Sequence, residues 1–168
     1  FVDDALSDGV TPVLLGYSLG KAQEILAFLS QGGYACRVHP VVHAIDRIYE
    51  AHGVALPGVR MLDPEVPPAG EVVVVPPQLA WSPAMRLVTR RRTAVLTGWA
   101  IDGDRFFRGV DAAFPLSDHA DHPSLLAYAR ATGASRVFTV HGHADELAAS
   151  LRREGIRAEP LREQAQLE

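Results

Sequence analysis

Apolar residues recur along this chain in two alternating patterns, short continuous runs and longer stretches with helical spacing. The run over residues 11–17 predicts a buried strand. Apolar residues from Leu19 to Leu29 then recur at helical spacing, until Gly32 and Gly33 end the helix. Because strands and helices follow each other in this way, the sequence predicts an α/β fold in which helices cover a sheet.

The same alternation continues to the end of the chain. Further strands are predicted over residues 35–39, 72–75, 93–99, 113–116, 135–141 and 156–161, and further helices over residues 40–52, 123–132 and 144–154. Six prolines between residues 57 and 77 predict an extended, loop-rich stretch around the strand at 72–75.

Composition narrows the class of protein. The chain has 168 residues, of which 48% are hydrophobic and 21% charged, with a net charge of −4. This is enough for one domain or two small ones, and it excludes disorder, collagen and a coiled coil. The longest apolar run, after Glu71, is far shorter than the roughly 20 residues of a membrane span, and we expect no secretory leader. We expect no membrane association and a cytoplasmic location.

Cysteine and histidine usage bears on metal binding. The single cysteine, Cys36, indicates a reducing compartment and rules out a cluster of several cysteine ligands. Any metal must therefore be held by carboxylates and by some of the seven histidines. The chain opens at Phe1 without an initiator methionine, and we expect it to be a piece of a longer translation product.

The string Gly16-Tyr17-Ser18-Leu19-Gly20 matches G-x-S-x-G between a predicted strand and a predicted helix. Such a context is required for a nucleophile elbow, in which Ser18 would attack a carbonyl. The residues that could complete a triad follow in the right order, Asp102 or Asp118 as the acid and His119 or His141 as the base. The structural alternative is that Ser18 caps the following helix.

Two carboxylates and two imidazoles lie close together in Asp118-His119-Ala120-Asp121-His122. Capping explains part of this string, since an acid before a helix that opens with Pro123 is favourable. Carboxylates beside a histidine also fix its tautomer and keep its pKa near neutrality, as a general acid or a metal ligand requires. We therefore predict a functional His119.

A third candidate is His141 in His141-Gly142-His143, where a predicted strand ends and a helix follows. Ligands gather at the carboxyl ends of strands in open α/β sheets, and Gly142 allows a sharp turn there. A hydrogen-bonded structural role for His141 is the alternative. A catalytic zinc site needs about three protein ligands, and this chain supplies one or two convincing ones, so any such site is expected to be incomplete.

Arginines are concentrated between residues 86 and 108. Arg90, Arg91 and Arg92 are consecutive, and Arg105 and Arg108 follow. Trp81, Trp99, Phe106 and Phe107 interleave this segment with aromatic rings. Such a pattern fits a nucleic-acid backbone with stacked bases, and a solvated arginine face over core aromatics is the alternative.

Four strings in this order resemble one known family. They are residues 17–26, 97–100, 116–121 and 139–142, which read YSLGKAQEIL, TGWA, LSDHAD and TVHG. Together they resemble the C-terminal half of the β-CASP branch of metallo-β-lactamase-fold nucleases. Within that branch the chain is most similar to bacterial ligase-associated DNA exonucleases, also described as mRNA 3′-end processing factor homologues.

The resemblance implies a zinc-dependent nuclease in which two metal ions activate a water to cleave a phosphodiester bond of DNA or RNA. By motif, His119 would be the proton donor to the leaving oxygen, with Asp118 and Asp121 beside it, and His141 would bind zinc. The string containing Gln23 would be structural, so Ser18 would not be a nucleophile. A DNA ligase and a helicase would be functional partners.

The family's H-x-H-x-D-H metal string is absent from the sequence. We therefore predict a β-CASP cassette over residues 1–112, followed by a segment over residues 113–168 that completes a metallo-β-lactamase domain of α/β/β/α type. On this interpretation the complete protein is a nuclease and this chain alone is inactive. The alternatives are a serine hydrolase that uses Ser18 and a non-catalytic nucleic-acid-binding module.

Overall fold

The computed structural model describes residues 1–102, 109–117 and 119–161. By its internal contacts the chain divides into an N-terminal unit, residues 1–118, and a C-terminal unit, residues 119–168. The predicted sites Asp118, Arg105 and Arg108, and also Phe106 and Phe107, lie outside the described residues.

Helices and strands alternate in the first part of the N-terminal unit, and further strands follow. In chain order the elements are α1 (Val2–Ser7), β1 (Thr11–Leu15), α2 (Lys21–Gln31), β2 (Cys36–Val38), α3 (Pro40–Ala51), β3 (Val59–Met61), β4 (Val72–Val75), β5 (Arg91–Leu96) and β6 (Ala112–Phe114). Short 3₁₀ turns lie at Pro77–Leu79, Pro83–Met85 and Gly98–Asp102.

The strands of this unit form one parallel sheet in the order β3-β2-β4-β1-β5-β6. Strand β1 is central, with Val13 opposite Val73 of β4 on one side and Thr93 of β5 on the other. All the strands run in the same direction, so their carboxyl ends lie along one edge of the sheet. Three of the four predicted motif strings begin in loops at this carboxyl edge.

Both faces of the sheet are buried, which explains the uninterrupted apolar runs of β1 and β4. Successive side chains of a strand point to opposite faces. Val72 and Val74 therefore pack in the same core as the apolar side of α2, and Val73 and Val75 pack in a second core. The second core is formed with residues 79–88, which cross the opposite face.

The C-terminal unit is smaller. Its elements are α4 (His122–Ala131), β7 (Val137–Thr139), α5 (Ala144–Arg153) and β8 (Ala158–Pro160). Strands β7 and β8 form a parallel pair, and Ala148, Leu151 and Ala158 are the buried centre of its core. No helix in the described parts of either unit is long and apolar enough to cross a bilayer.

The predicted α/β class is confirmed, and the predicted strands and helices are present with ends shifted by a few residues. Strand β3 was not predicted, because its three residues lie in the proline-rich stretch and two of them are exposed. The predicted division after residue 112 falls inside β6, which pairs with β5 in the N-terminal sheet. The two proposed parts of the chain stay a prediction.

Candidate functional site

Three of the four motif strings start at the carboxyl edge of the N-terminal sheet. The amide of Thr97 donates to the carbonyl of Phe114, and the amide of Leu116 donates to the carbonyl of Thr97. The buried Lys21 donates from Nζ to the carbonyl oxygen of Leu116 at 2.8 Å. The segments that follow β1, β5 and β6 are therefore bonded to one another, although they are far apart in sequence.

Close approach explains two of the glycines at this edge. A Cβ on Gly16 would lie 2.7 Å from Cδ1 of the buried Ile25 on α2, so one of the two side chains would have to shift. A Cβ on Gly98 would lie 3.2 Å from the Ser117 hydroxyl. The G-x-S-x-G and T-G-W patterns therefore reflect tight packing between neighbouring segments of the sheet edge.

Gln23 holds the loop between β1 and α2. Its side-chain oxygen accepts from the Gly20 amide at 2.8 Å, and its Nε2 donates to the Ser18 carbonyl at 3.1 Å and to Oδ1 of Asp46 at 2.8 Å. Burial raises the pKa of the Asp46 carboxyl, whose Oδ2 has no hydrogen-bond partner in the described structure. The glutamine of the A-Q-E string thus has a structural role.

The structural alternative predicted that Ser18 caps α2, and this prediction is wrong. The N-cap is Gly20, at φ 79°, because only a residue without a side chain adopts this turn easily. Ser18 has a negative φ, so it lacks the strained backbone turn of a nucleophile elbow.

His119 and Asp121 lie at the start of the C-terminal unit, and both are exposed. The carboxylate of Asp121 caps α4 by accepting from the Ser124 amide at 2.8 Å, and this hydrogen bonding lowers the pKa of Asp121. The capping interpretation of Asp121 is therefore confirmed. This cap fixes the backbone at Asp121, two residues after His119. The imidazole of His119 is exposed.

His141 has an unusual backbone. Its φ of 60° makes it the one non-glycine residue at positive φ in the described parts of the chain, and Gly142 follows at φ 47°. An L-residue in this region costs about 1–2 kcal/mol, and such strain is concentrated at functional sites. The turn is closed by the buried Thr139, whose hydroxyl donates to the Ala144 carbonyl at 2.8 Å. His141 is held exposed at the end of β7.

The neighbouring histidine has a different setting. His143 is the N-cap residue of α5 and lies 3.5 Å from Oε2 of Glu146. Backbone hydrogen bonding and this histidine lower the pKa of Glu146. His143 therefore belongs to the start of a helix, as the sequence indicated.

The described residues do not by themselves form a zinc centre. Nowhere among them do three His, Cys, Asp or Glu side chains lie close enough together to hold one metal ion. The exposed His119 and His141 are each suited to contribute a single group.

The consecutive arginines do not all lie on one face of the sheet. Arg91 and Arg92 point to opposite faces of β5, because side chains alternate along a strand. Arg92 pairs with Asp8 at 2.8 Å, and Arg91 donates to the Ala80 carbonyl and stacks on Trp81. Arg90 precedes the strand and is exposed.

Sequence reasoning gave no separate role to His39, Lys21 or Asp46. His39 is buried, accepts from the Val41 amide through Nδ1 and lies 3.1 Å from the Ser82 hydroxyl through Nε2. Burial lowers the pKa of this histidine. Lys21 could have been identified because it directly follows Gly20, the second glycine of the G-x-S-x-G string. Asp46 could have been identified because it is an acid on the buried side of α3.

Residues 112–159 match the model of a protein family described as the Zn-dependent metallo-hydrolase RNA specificity domain. The chain contains this domain. The RNA specificity domain includes His119, Asp121 and His141, and it runs from β6 to β8. The predicted resemblance to metallo-β-lactamase-fold hydrolases is confirmed by this match.

The chain is also 43% identical over 169 aligned positions to a protein of Opitutus terrae named probable DNA ligase. The alignment covers all of this chain and 16% of that protein, so the chain spans about a sixth of the relative's length. This relative is consistent with the ligase-associated branch of the family.

Proposed function

We propose that the complete protein is a metal-dependent nuclease that hydrolyses phosphodiester bonds in DNA or RNA, and that this chain supplies its nucleic-acid-binding part and two of its site histidines. The observation that carries the proposal is the match of the RNA specificity domain over the segment that contains His119 and His141. The bonded loops at the carboxyl edge, which lead along the chain into this domain, add support.

His119 is proposed as the general acid that protonates the leaving oxygen, or as a phosphate contact. Imidazole suits this role because its pKa lies near neutrality, and His119 is exposed to substrate. Asp121 is a positioning residue, since its carboxylate is used to cap α4 and so fixes the turn that carries His119. Asp118 is proposed as a further acid of the same string.

His141 is proposed as one zinc ligand, with the other ligands contributed from elsewhere in the complete protein. Its exposed imidazole and left-handed backbone at a strand end favour a binding role over a packing role. A bound zinc ion would activate water for attack on phosphorus. Without such a ligand set this chain alone is expected to be inactive.

The two comparisons support the proposed substrate and partner. The matched family is described by RNA specificity, whereas the relative is named a probable DNA ligase. We propose a nucleic-acid substrate in a pathway that includes DNA ligation, and cleavage assays with both nucleic acids decide between DNA and RNA.

The test uses the complete protein with labelled single-stranded DNA and RNA, with and without a chelator. We expect chelator-sensitive cleavage, and a loss of about 100-fold or more in His119→Ala, as for removal of a general acid. His122→Ala is the matched control, because His122 is an exposed histidine at the first position of α4. Equal activity of the two variants would refute the role of His119.

Two other outcomes identify the alternatives. Labelling of Ser18 by a fluorophosphonate probe, together with no chelator-sensitive cleavage of nucleic acid, would indicate a serine hydrolase. Binding of nucleic acid with no cleavage under any metal condition would indicate a non-catalytic binding module.

A further inference from the structure

Trp81 is a large aromatic side chain left on the surface of the N-terminal unit. Its exposed fraction is 85%, and the guanidinium carbon of Arg91 lies 3.9 Å from its ring centroid. Arg91 is in turn fixed by donating from Nη1 to the Ala80 carbonyl at 2.8 Å. One face of the indole is thus covered by a cation, and most of the ring remains open to solvent.

The surroundings of Trp81 are well packed although its ring is exposed. The preceding residue, Ala80, is 6% exposed, and Met85 and Val88 are each 4% exposed in the second core. Arg91 is the first residue of β5 and pairs with Thr11 of the central strand. The indole is thus exposed to water on a well-packed part of the unit.

A cleft of about 520 Å³ adjoins the ring. Its lining includes Trp81, Met85, Arg86, Thr89 and Arg91, and within the described chain both of its charged lining residues are arginines. Arg86 is exposed and fixed by donating from Nε to the Pro64 carbonyl at 2.8 Å, and Arg90, which lies in sequence between the lining residues Thr89 and Arg91, is also exposed. Two acids, Asp63 and Glu65, flank Pro64 in the sequence, and neither of them lines the cleft.

We propose that Trp81 and Arg91 form a stacking platform for a base of a single-stranded nucleic acid, while Arg86 and Arg90 contact its phosphates. An aromatic ring backed by a guanidinium fits this ligand, because every base has a π face and stacks without regard to sequence. The positive lining complements the polyanionic backbone. The inference rests on the proposed function, since it names how the substrate strand is held.

The test measures binding by the complete protein in the presence of a chelator, so that cleavage plays no part. The probes are an oligothymidylate and an abasic strand of the same length, which carries the same phosphates without bases. Trp81→Ala is expected to weaken oligothymidylate binding by about tenfold, within the range for loss of one stacked base, and to leave abasic binding unchanged. Trp81→Phe should restore most of the affinity.

Two further variants separate stacking from charge. Arg90→Ala should weaken binding of both probes equally, because a phosphate contact ignores the base. Phe28→Ala is the matched control, since Phe28 is an aromatic residue with an exposed fraction of 60% on α2, and it should bind as the unmodified protein does.

Unchanged oligothymidylate binding in Trp81→Ala, or an equal loss for both probes, would overturn the platform, as would a complete protein that binds neither probe. A protein that shows the base-dependent loss but never cleaves would refute the proposed nuclease function and leave the platform standing.

Discussion

The two units of the chain differ in how completely they are packed. In the N-terminal unit both faces of a six-stranded sheet are covered by buried cores, and the four residues of β4 are all buried. In the C-terminal unit a two-stranded sheet has one small core, and α4 has no buried residue. Phe138, Val140 and Leu161 of the C-terminal unit are about half exposed or more.

Because of this difference, the residues that stabilise the fold and the residues proposed for catalysis lie mostly in different units. The well-packed unit contains the sheet edge and the aromatic platform, whereas the histidines proposed for catalysis and metal binding lie in the sparsely packed unit. Functional segments are commonly drawn from the less stable parts of a protein. We therefore expect substitutions in the N-terminal unit to change stability strongly, and the histidine substitutions to change function with little effect on stability.

The largest expected effect is a cavity in the first core. Leu26 is fully buried on α2, so Leu26→Ala should lower the free energy of unfolding of the N-terminal unit by about 3 kcal/mol. Leu19→Ala is the matched control, because Leu19 is 64% exposed, and it should change this free energy by less than about 0.5 kcal/mol. Denaturant unfolding measures both, and similar values would show that the core is not well packed.

Ion pairs offer a second comparison between the units. Glu71 is 8% exposed and bridges Arg37 at 2.8 Å and Arg60 at 2.5 Å, two arginines that are opposite each other in β2 and β3. Glu71→Gln leaves these like charges uncompensated and should cost about 2 kcal/mol.

The corresponding pair of the C-terminal unit joins Arg136 to Glu159, and both side chains are about half exposed. Glu159→Gln should cost less than about 0.5 kcal/mol, because solvent screens exposed pairs. The two variants are compared by denaturant unfolding at the same salt concentration. A larger loss for Glu159→Gln would contradict the assignment of the stable unit.

Asp46 gives a pH-dependent prediction. Burial raises the pKa of its carboxyl above the ordinary value of 3.8, so the fold is destabilised as this group ionises with rising pH. Asp46→Asn keeps the acceptor for Gln23 and removes the charge. It should stabilise the chain by about 1 kcal/mol at pH 7, with the gain shrinking as the pH falls toward 4.

The control for this prediction is Glu65→Gln, a substitution of an exposed acid in the same unit that is not among the groups that shift the pKa of Asp46. It should show no comparable gain at pH 7. Unfolding free energies measured across this pH range decide the matter, and a pH-independent gain in Asp46→Asn would refute the ionisation account.

The smallest expected effect is at His141. Glycine adopts positive φ without strain, but it also makes the unfolded chain more flexible. The two effects partly cancel, so His141→Gly should raise the free energy of unfolding of the C-terminal unit by about 0.5 kcal/mol. His143→Gly, at negative φ, should lower it by a similar amount. Hydrogen exchange of β7 amides measures both, and a large loss in His141→Gly would indicate a packing role.

The strands and helices were predictable because apolar runs and helical spacing report burial directly. The Val72–Val75 strand was predicted with its observed ends for this reason. Strand β3 was missed because it is short, exposed and surrounded by prolines, so its place in the sheet depends on its neighbours.

The site was predictable only in part. Residues 118–122 and 141–143 could be identified from their composition. The left-handed backbone of His141 could not be predicted, because the residue type histidine does not indicate a positive φ. The three consecutive arginines suggested one patch, whereas strand alternation sends Arg91 toward Trp81 and Arg92 toward Asp8. That separation follows from β5 beginning at Arg91 rather than at Thr93 as predicted.

The most direct test of the nuclease proposal is the zinc content of the complete protein after dialysis, measured for His141→Ala and for His143→Ala. If His141 is a metal ligand, His141→Ala should retain substantially less zinc than the unmodified protein, and His143→Ala should retain the same amount. Equal zinc in all three proteins, or a loss confined to His143→Ala, would contradict the assignment of His141.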